Sequence, residues 1–204
     1  YHKVGKLLEG TKGNPYCHLT KYIKYGESVG RIIPGLDKLY DMERLNSAIV
    51  PERDFLFNYL GIKTLYDRYL LKNANKDCFE LPQQMFMGIA MFLAQNEGNG
   101  DIQARTDKAI EFYDVISKFE VMLATPTLSN ARTNRHQMSS CFIGSTPDNI
   151  EGIFDGYKEM ALLSKFGGGI GWDWNSVRGI ASFIDGHKGA AGGTVPFLKI
   201  TNDI

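Results

Sequence analysis

The spacing of apolar residues changes character once along the chain, near residue 120. Before that point it is helical. Leu36, Leu39, Tyr40 and Met42 hint at one helix, and Phe55, Leu56, Tyr59, Leu60, Ile62, Leu65, Tyr69 and Leu70 mark a helical stretch over 54–71 that Gly61 loosens. Leu81-Pro82 starts a stronger helix: a proline in the first turn gives up no hydrogen bond, and Met85, Phe86, Ile89, Phe92 and Leu93 follow it. Residues 97–106, rich in Gly, Asn and Asp, read as a loop. Ala109, Ile110, Tyr113, Ile116 and Phe119 then give a helix over 107–119 one buried face.

Beyond residue 120 the period shortens. Val121-Met122-Leu123-Ala124 reads as a short buried strand ended by Thr125-Pro126, since proline cannot donate to a central ladder. Residues 140–143 read as a second strand running into a turn over 144–147. Ile150, Ile153, Phe154, Tyr157 and Ala161 then give an amphipathic helix, with Thr146 expected as its N-cap and Pro147 at its first position. Gly167-Gly168-Gly169 ends it, as helix C-termini favour, and residues 170–174 read as a further strand. The expected fold class is α/β, α+β overall, with a mostly helical region over 1–120 and strand–helix units of a mainly parallel sheet over 121–204.

Composition narrows the possible partners. Lys plus Arg and Asp plus Glu number 23 each, which gives no broad electrostatic reason to expect nucleic acid or an acidic membrane surface, so any phosphate recognition must be local. The longest apolar stretch, Met85 to Leu93, is too short to span a bilayer. Cys17, Cys78 and Cys141 lie far apart without a CxxC pair, so a reducing, cytoplasmic setting is expected. His136 and His187 have no companion at metal-ligand spacing, and no metal site is expected in this chain. Its first residue, Tyr1, and its last, Ile204, suggest a piece of a longer protein.

The residues able to carry chemistry gather after Ala124. Thr125, Ser129, Asn130, Ser139, Ser140 and Cys141 put hydroxyls, an amide and a thiol at the ends of expected strands, where α/β folds commonly build their sites. Local chemistry leaves Cys141 open between a reactive thiol and the small hydrophobe that a strand cysteine usually is. Phe166-Gly167-Gly168-Gly169-Ile170-Gly171 could bring bare backbone N–H groups to a phosphate or ribose, or simply turn helix into strand. It is not a dinucleotide fingerprint, because tryptophans occupy the third-glycine position and the glycines precede a strand. Asp148-Asn149-Ile150 suits plain helix capping, and Arg178 an anion or a nearby carboxylate.

Four segments in fixed order, Ala124-Thr-Pro-Thr-Leu-Ser-Asn-Ala-Arg132, Ser139-Ser-Cys-Phe142, Asp148-Asn-Ile-Glu-Gly-Ile153 and Lys165-Phe-Gly-Gly-Gly-Ile-Gly171, closely resemble the large catalytic subunit of class I ribonucleoside-diphosphate reductases. The dense match runs from about Leu81 onward, while residues 1–80 are similar to the helical region that follows the ATP-cone in this family. The resemblance implies the first part of a ten-stranded α/β barrel. It implies that Cys141 is a redox-active cysteine, which ends each turnover in a disulfide with a second cysteine further along the chain. It places the substrate diphosphate or ribose on Thr125, Ser139, Ser140, Gly168 and Gly169, and a deoxynucleoside triphosphate or ATP effector on Asp148, Asn149, Ile150 and Arg178. Where some members carry a further arginine this chain has Asp185, a carboxylate that cannot do the same work.

The implied partners are a ribonucleoside diphosphate, a second large subunit, a small subunit carrying the radical-generating metallocofactor, and thioredoxin or glutaredoxin as reductant. None of the three cysteines matches the family's thiyl position, so the chain is expected to be inactive alone. Two other classes compete. A glycyl-radical enzyme shares the barrel, and a nucleotide-binding regulatory module would keep the effector triplet without the chemistry, although such a sensor has no use for a redox thiol.

Overall fold

A computed structural model describes residues 1–9 and 16–203. The chain divides into two compact units, residues 1–138 and 139–204. The change of period read at residue 120 therefore falls inside the first unit, and residues 121–138 belong with the helices.

The first unit holds seven helices among the described residues: α1 (His2–Glu9), α2 (Leu19–Ser28), α3 (Met42–Ala48), α4 (Tyr59–Arg68), α5 (Pro82–Ala94), α6 (Ile102–Ser117) and α7 (Thr125–Asn130). Helix α5 starts at Pro82 as the sequence requires, and it is buried on every side except at Leu93. An all-round apolar helix can only be a core helix, and α6 packs along it. Gln83 and Gln84 are buried in its first turn, where Tyr113 donates to Gln83 Oε1 at 2.8 Å and Leu81 N–H to Gln84 Oε1 at 3.1 Å. Helix α6 opens five residues earlier than its apolar face suggests, because the Asp101 carboxylate caps it by accepting from Gln103 N–H at 2.8 Å.

Three sequence expectations change here. The stretch 54–71 is a short 3₁₀ segment (Pro51–Leu56) followed by α4, and Phe55, Leu56, Tyr59 and Leu60 are exposed instead of forming a buried face. Leu36–Leu39 is likewise a 3₁₀ turn, with Met42 opening a separate helix behind an Asp41 cap. The expected strand over 121–124 is a bend and irregular chain without a ladder partner. Val121 and Met122 are exposed, and Thr125-Pro126 begins α7 instead of ending a strand.

The second unit is β1 (Cys141–Ser145), α8 (Ile150–Lys165), β2 (Gly169–Asp173), β3 (Ile180–Phe183), β4 (Ala190–Gly192) and α9 (Val195–Asp203). Strands β1 and β2 are parallel and joined through α8, with Cys141 opposite Gly169 and Gly144 opposite Trp172, while β3 and β4 form an antiparallel pair. A small core of Ile153, Tyr157, Met160, Trp174 and Val177 lies beneath. Trp172 sets the local fit. A Cβ on Gly144 would stand 2.3 Å from its ring and one on Gly156 3.3 Å from it, so only glycines let strand and helix close over the indole.

Candidate functional site

The turn from α8 into β2 is made of the three glycines. Gly167 follows Phe166, the C-cap of α8, at φ +79°, a left-handed position that favours glycine. Gly168 N–H donates to Leu163 O at 3.1 Å, and a Cβ there would lie 2.5 Å from the Phe142 ring. Gly169 N–H donates to Ser140 O at 2.8 Å, and its missing side chain leaves Cys141 Sγ 3.6 Å from where a Cβ would be. Cys141 is exposed in this chain. Ser139 and Ser140 precede it and are exposed. The parallel register thus gathers Ser140, Cys141, Gly168 and Gly169 at one end of β1–β2. Cys17 and Cys78 are buried, and burial pushes the Cys78 thiol up.

At the other end of β1, helix α8 begins. Its N-cap is Asn149, whose Oδ1 accepts from Gly152 N–H at 2.8 Å, and not Thr146. Thr146 lies three residues before that cap, buried, with its hydroxyl accepting from Trp172 Nε1 at 2.6 Å. Asp148 accepts from Arg178 twice, at 3.1 Å from the backbone N–H and 2.8 Å from Nε, and Arg178 Nη1 reaches Phe183 O at 3.2 Å. These bonds, the backbone one foremost, hold the Asp148 carboxyl below the usual carboxylate range. With Asn149, Ile150, Val177 and Ile184 the pair lines a cleft of about 260 Å³, in which Ile150 is an exposed apolar wall.

Thr125 lies in the first unit at the start of α7, exposed, with its hydroxyl 3.2 Å from that of Tyr69. Sequence reasoning missed what stands behind it. Arg132 is fully buried and grips both oxygens of the fully buried Glu80, Nε at 2.6 Å and Nη2 at 2.5 Å. Glu80 also accepts from the Tyr22 hydroxyl and, at 2.8 Å, from Leu71 N–H. The available signal was an acid inside the apolar run Cys78-Phe79-Glu80-Leu81, which folding can bury only with a cation. Among the described residues no group of three or more His, Cys, Asp or Glu could hold a metal ion, and no helix is long and apolar enough to cross a membrane.

Residues 55–136 match the family described as ribonucleotide reductase, all-alpha domain, and residues 139–204 that described as ribonucleotide reductase, barrel domain. The chain belongs to the ribonucleotide reductase family, as part of its large subunit: the helical domain, then the start of the barrel domain. It is similar to the ribonucleoside-diphosphate reductase subunit alpha of Helicobacter pylori (strain ATCC 700392 / 26695), with 65% identity over 100% of this chain and 24% of that protein. The corresponding subunit of Chlamydia trachomatis is 40% identical over 91% of this chain and 17% of its own length. The large subunit of Variola virus is 46% identical over 79% of this chain and 20% of its own. The chain therefore spans about a quarter or less of the length of these relatives.

Proposed function

We propose that this chain supplies one wall of the substrate site and much of the specificity site of a ribonucleoside-diphosphate reductase, with Cys141 as a reductant. The observation that carries this is the exposed Cys141 thiol beside the bare backbone of Gly169, flanked by Ser139 and Ser140. Hydroxyls suit a diphosphate or a ribose, the missing side chains of Gly168 and Gly169 let it come close to the backbone, and a thiol open on the glycine side has room for a second sulfur. In the proposed reaction a thiyl radical on another cysteine of the longer protein takes hydrogen from the ribose 3′ carbon. The 2′ hydroxyl leaves as water. Cys141 and a second thiol give up two electrons and two protons, a C–H bond replaces the C–O bond at the 2′ carbon, a disulfide forms, and the hydrogen first taken returns to the 3′ carbon, which regenerates the thiyl radical. Thioredoxin or glutaredoxin returns the pair to dithiol, and a metallocofactor in the small subunit starts the radical.

Asp148, Asn149, Ile150 and Arg178 are proposed to hold a deoxynucleoside triphosphate or ATP effector. A carboxylate accepts only, so Asp148 suits a sugar hydroxyl and the orientation of Arg178, whose guanidinium suits phosphate. A cleft of about 260 Å³ is smaller than the roughly 300 Å³ at the low end of ligand sites. A second copy of the protein in a homodimer is proposed to complete the site. The whole protein is proposed to work in the cytoplasm.

The test is CDP reduction by the full-length parent with its small subunit. Cys141→Ser should abolish multiple turnovers with a dithiol reductant, whereas turnover at the wild-type rate would remove Cys141 from the mechanism.

A further inference from the structure

We infer that Tyr69 is a positioning residue for Thr125: its phenol donates to the threonine hydroxyl and so reserves the threonine's single proton for the substrate diphosphate. The inference rests on the proposal that Thr125 holds that diphosphate.

The geometry begins at Arg132. Its Nε and one Nη2 proton are spent on Glu80, and the rest of the fork reaches two backbone carbonyls from different elements. Nη1 donates to Leu128 O in α7 at 2.7 Å, and Nη2 to Tyr69 O, just past the end of α4, at 3.2 Å. One guanidinium thus ties the α4 terminus to the α7 helix. Glu80 is itself fixed by Tyr22 and by Leu71 N–H, two residues beyond Tyr69. Gly88 makes room for the arrangement, since a Cβ there would lie 3.1 Å from Arg132 Cδ and 3.4 Å from the Tyr22 hydroxyl. Replacing a buried ion pair by apolar side chains is commonly neutral or stabilising, so stability alone does not account for this one. Its planar fork does something an apolar pair could not: it sets the distance between two backbone segments.

What that distance fixes is the contact between Tyr69 and Thr125, whose hydroxyl oxygens are 3.2 Å apart. Two hydroxyls share two protons, and either could donate in the free protein. A diphosphate removes the ambiguity, because its oxygens accept and do not donate at neutral pH. Thr125 can bond to it only by giving its own proton, and the bond between the two side chains must then be donated by Tyr69. Each bond in such a chain polarises the next, so the threonine becomes a better donor than it would be alone. The contact is made to a part of the substrate that does not react, so it should appear in KM and not in kcat.

The test is steady-state CDP reduction by the full-length parent with its small subunit, comparing wild type, Tyr69→Phe and Thr125→Val. Tyr69→Phe keeps the ring and the carbonyl that Arg132 grips. It should raise KM by about twofold, because the contact is present with and without substrate and only its polarising effect on the threonine donor is lost, with kcat and the thermal midpoint nearly unchanged. An unchanged KM in Tyr69→Phe, alongside a raised one in Thr125→Val, overturns the role of Tyr69 while leaving Thr125 a substrate residue. An unchanged KM in Thr125→Val overturns the underlying reading instead. A fall in kcat and thermal midpoint together, without a change in KM, would make Tyr69 merely structural and overturn the inference too.

Discussion

Asp148 and Arg178 show how one side chain can serve two purposes at once. The pair is half-exposed, so it adds little to stability, but it fixes where the guanidinium points. Because the carboxyl is held low, its contribution to stability is complete above the ordinary carboxylate value of about 3.9 and is lost only as pH falls through the lowered one. The order of the loop around Arg178 should therefore be insensitive to pH near neutrality and fail only in acid. Carbon-detected NMR of the Asp148 carboxyl should show a titration below the usual value. Arg178→Ala should raise it only part of the way, since the backbone N–H remains and is the larger cause. A wild-type carboxyl titrating at the ordinary value would mean that the pair is not formed in solution. The residue scale is also where sequence reading was weakest. Thr146 and Asn149 are both good caps by type, but the helix begins at Ile150, directly after Asn149, and the threonine hydroxyl instead accepts from a tryptophan 26 residues away. Glu80 and Arg132 lie 52 residues apart, and nothing local in the sequence announces that they meet.

Among the elements, the legible ones are those whose local signals agree with their tertiary fate. Helices α5, α6 and α8 and strands β1 and β2 follow from periodicity, proline and glycine, and the parallel register brings Cys141 to Gly169 without any further assumption. Residues 121–124 depart from the expected strand because apolar content does not ensure burial, and because Pro126 opens a helix, a role that proline fills as readily as closing a strand. The turn between α8 and β2 lends itself to measurement. Gly168→Ala must push the Phe142 ring aside and should cost about 1–3 kcal/mol in denaturant unfolding. Gly171→Ala meets its nearest neighbour at 4.0 Å and should cost much less. Equal effects at both positions would show that the Phe142 contact does not govern the turn. If it does govern, Phe142→Leu in the Gly168→Ala background should recover part of the loss.

At the scale of the whole molecule the two units are unequal. The buried cluster of the first runs from Val4 to Ala131, while that of the second has five members beside a two-stranded parallel sheet. Parallel sheets are ordinarily covered on both faces, and two strands alone are marginal. Limited proteolysis of the 204-residue chain should thus cut first within 175–194, around the β3–β4 pair, and leave a resistant product ending near Met138. Survival of residues 139–204 as the more resistant part would contradict this. The same asymmetry bears on the order in which the protein comes into being. Every residue of the larger cluster is synthesised before Cys141 leaves the ribosome, so the helical unit can close its core while the thiol is still unborn. When the reactive sulfur emerges, it is carried by a nascent strand whose neighbours have yet to be made, at a time when Cys17 and Cys78 can already be sealed inside a finished fold. Burying those two first would keep them from pairing wrongly with the one cysteine whose chemistry is needed.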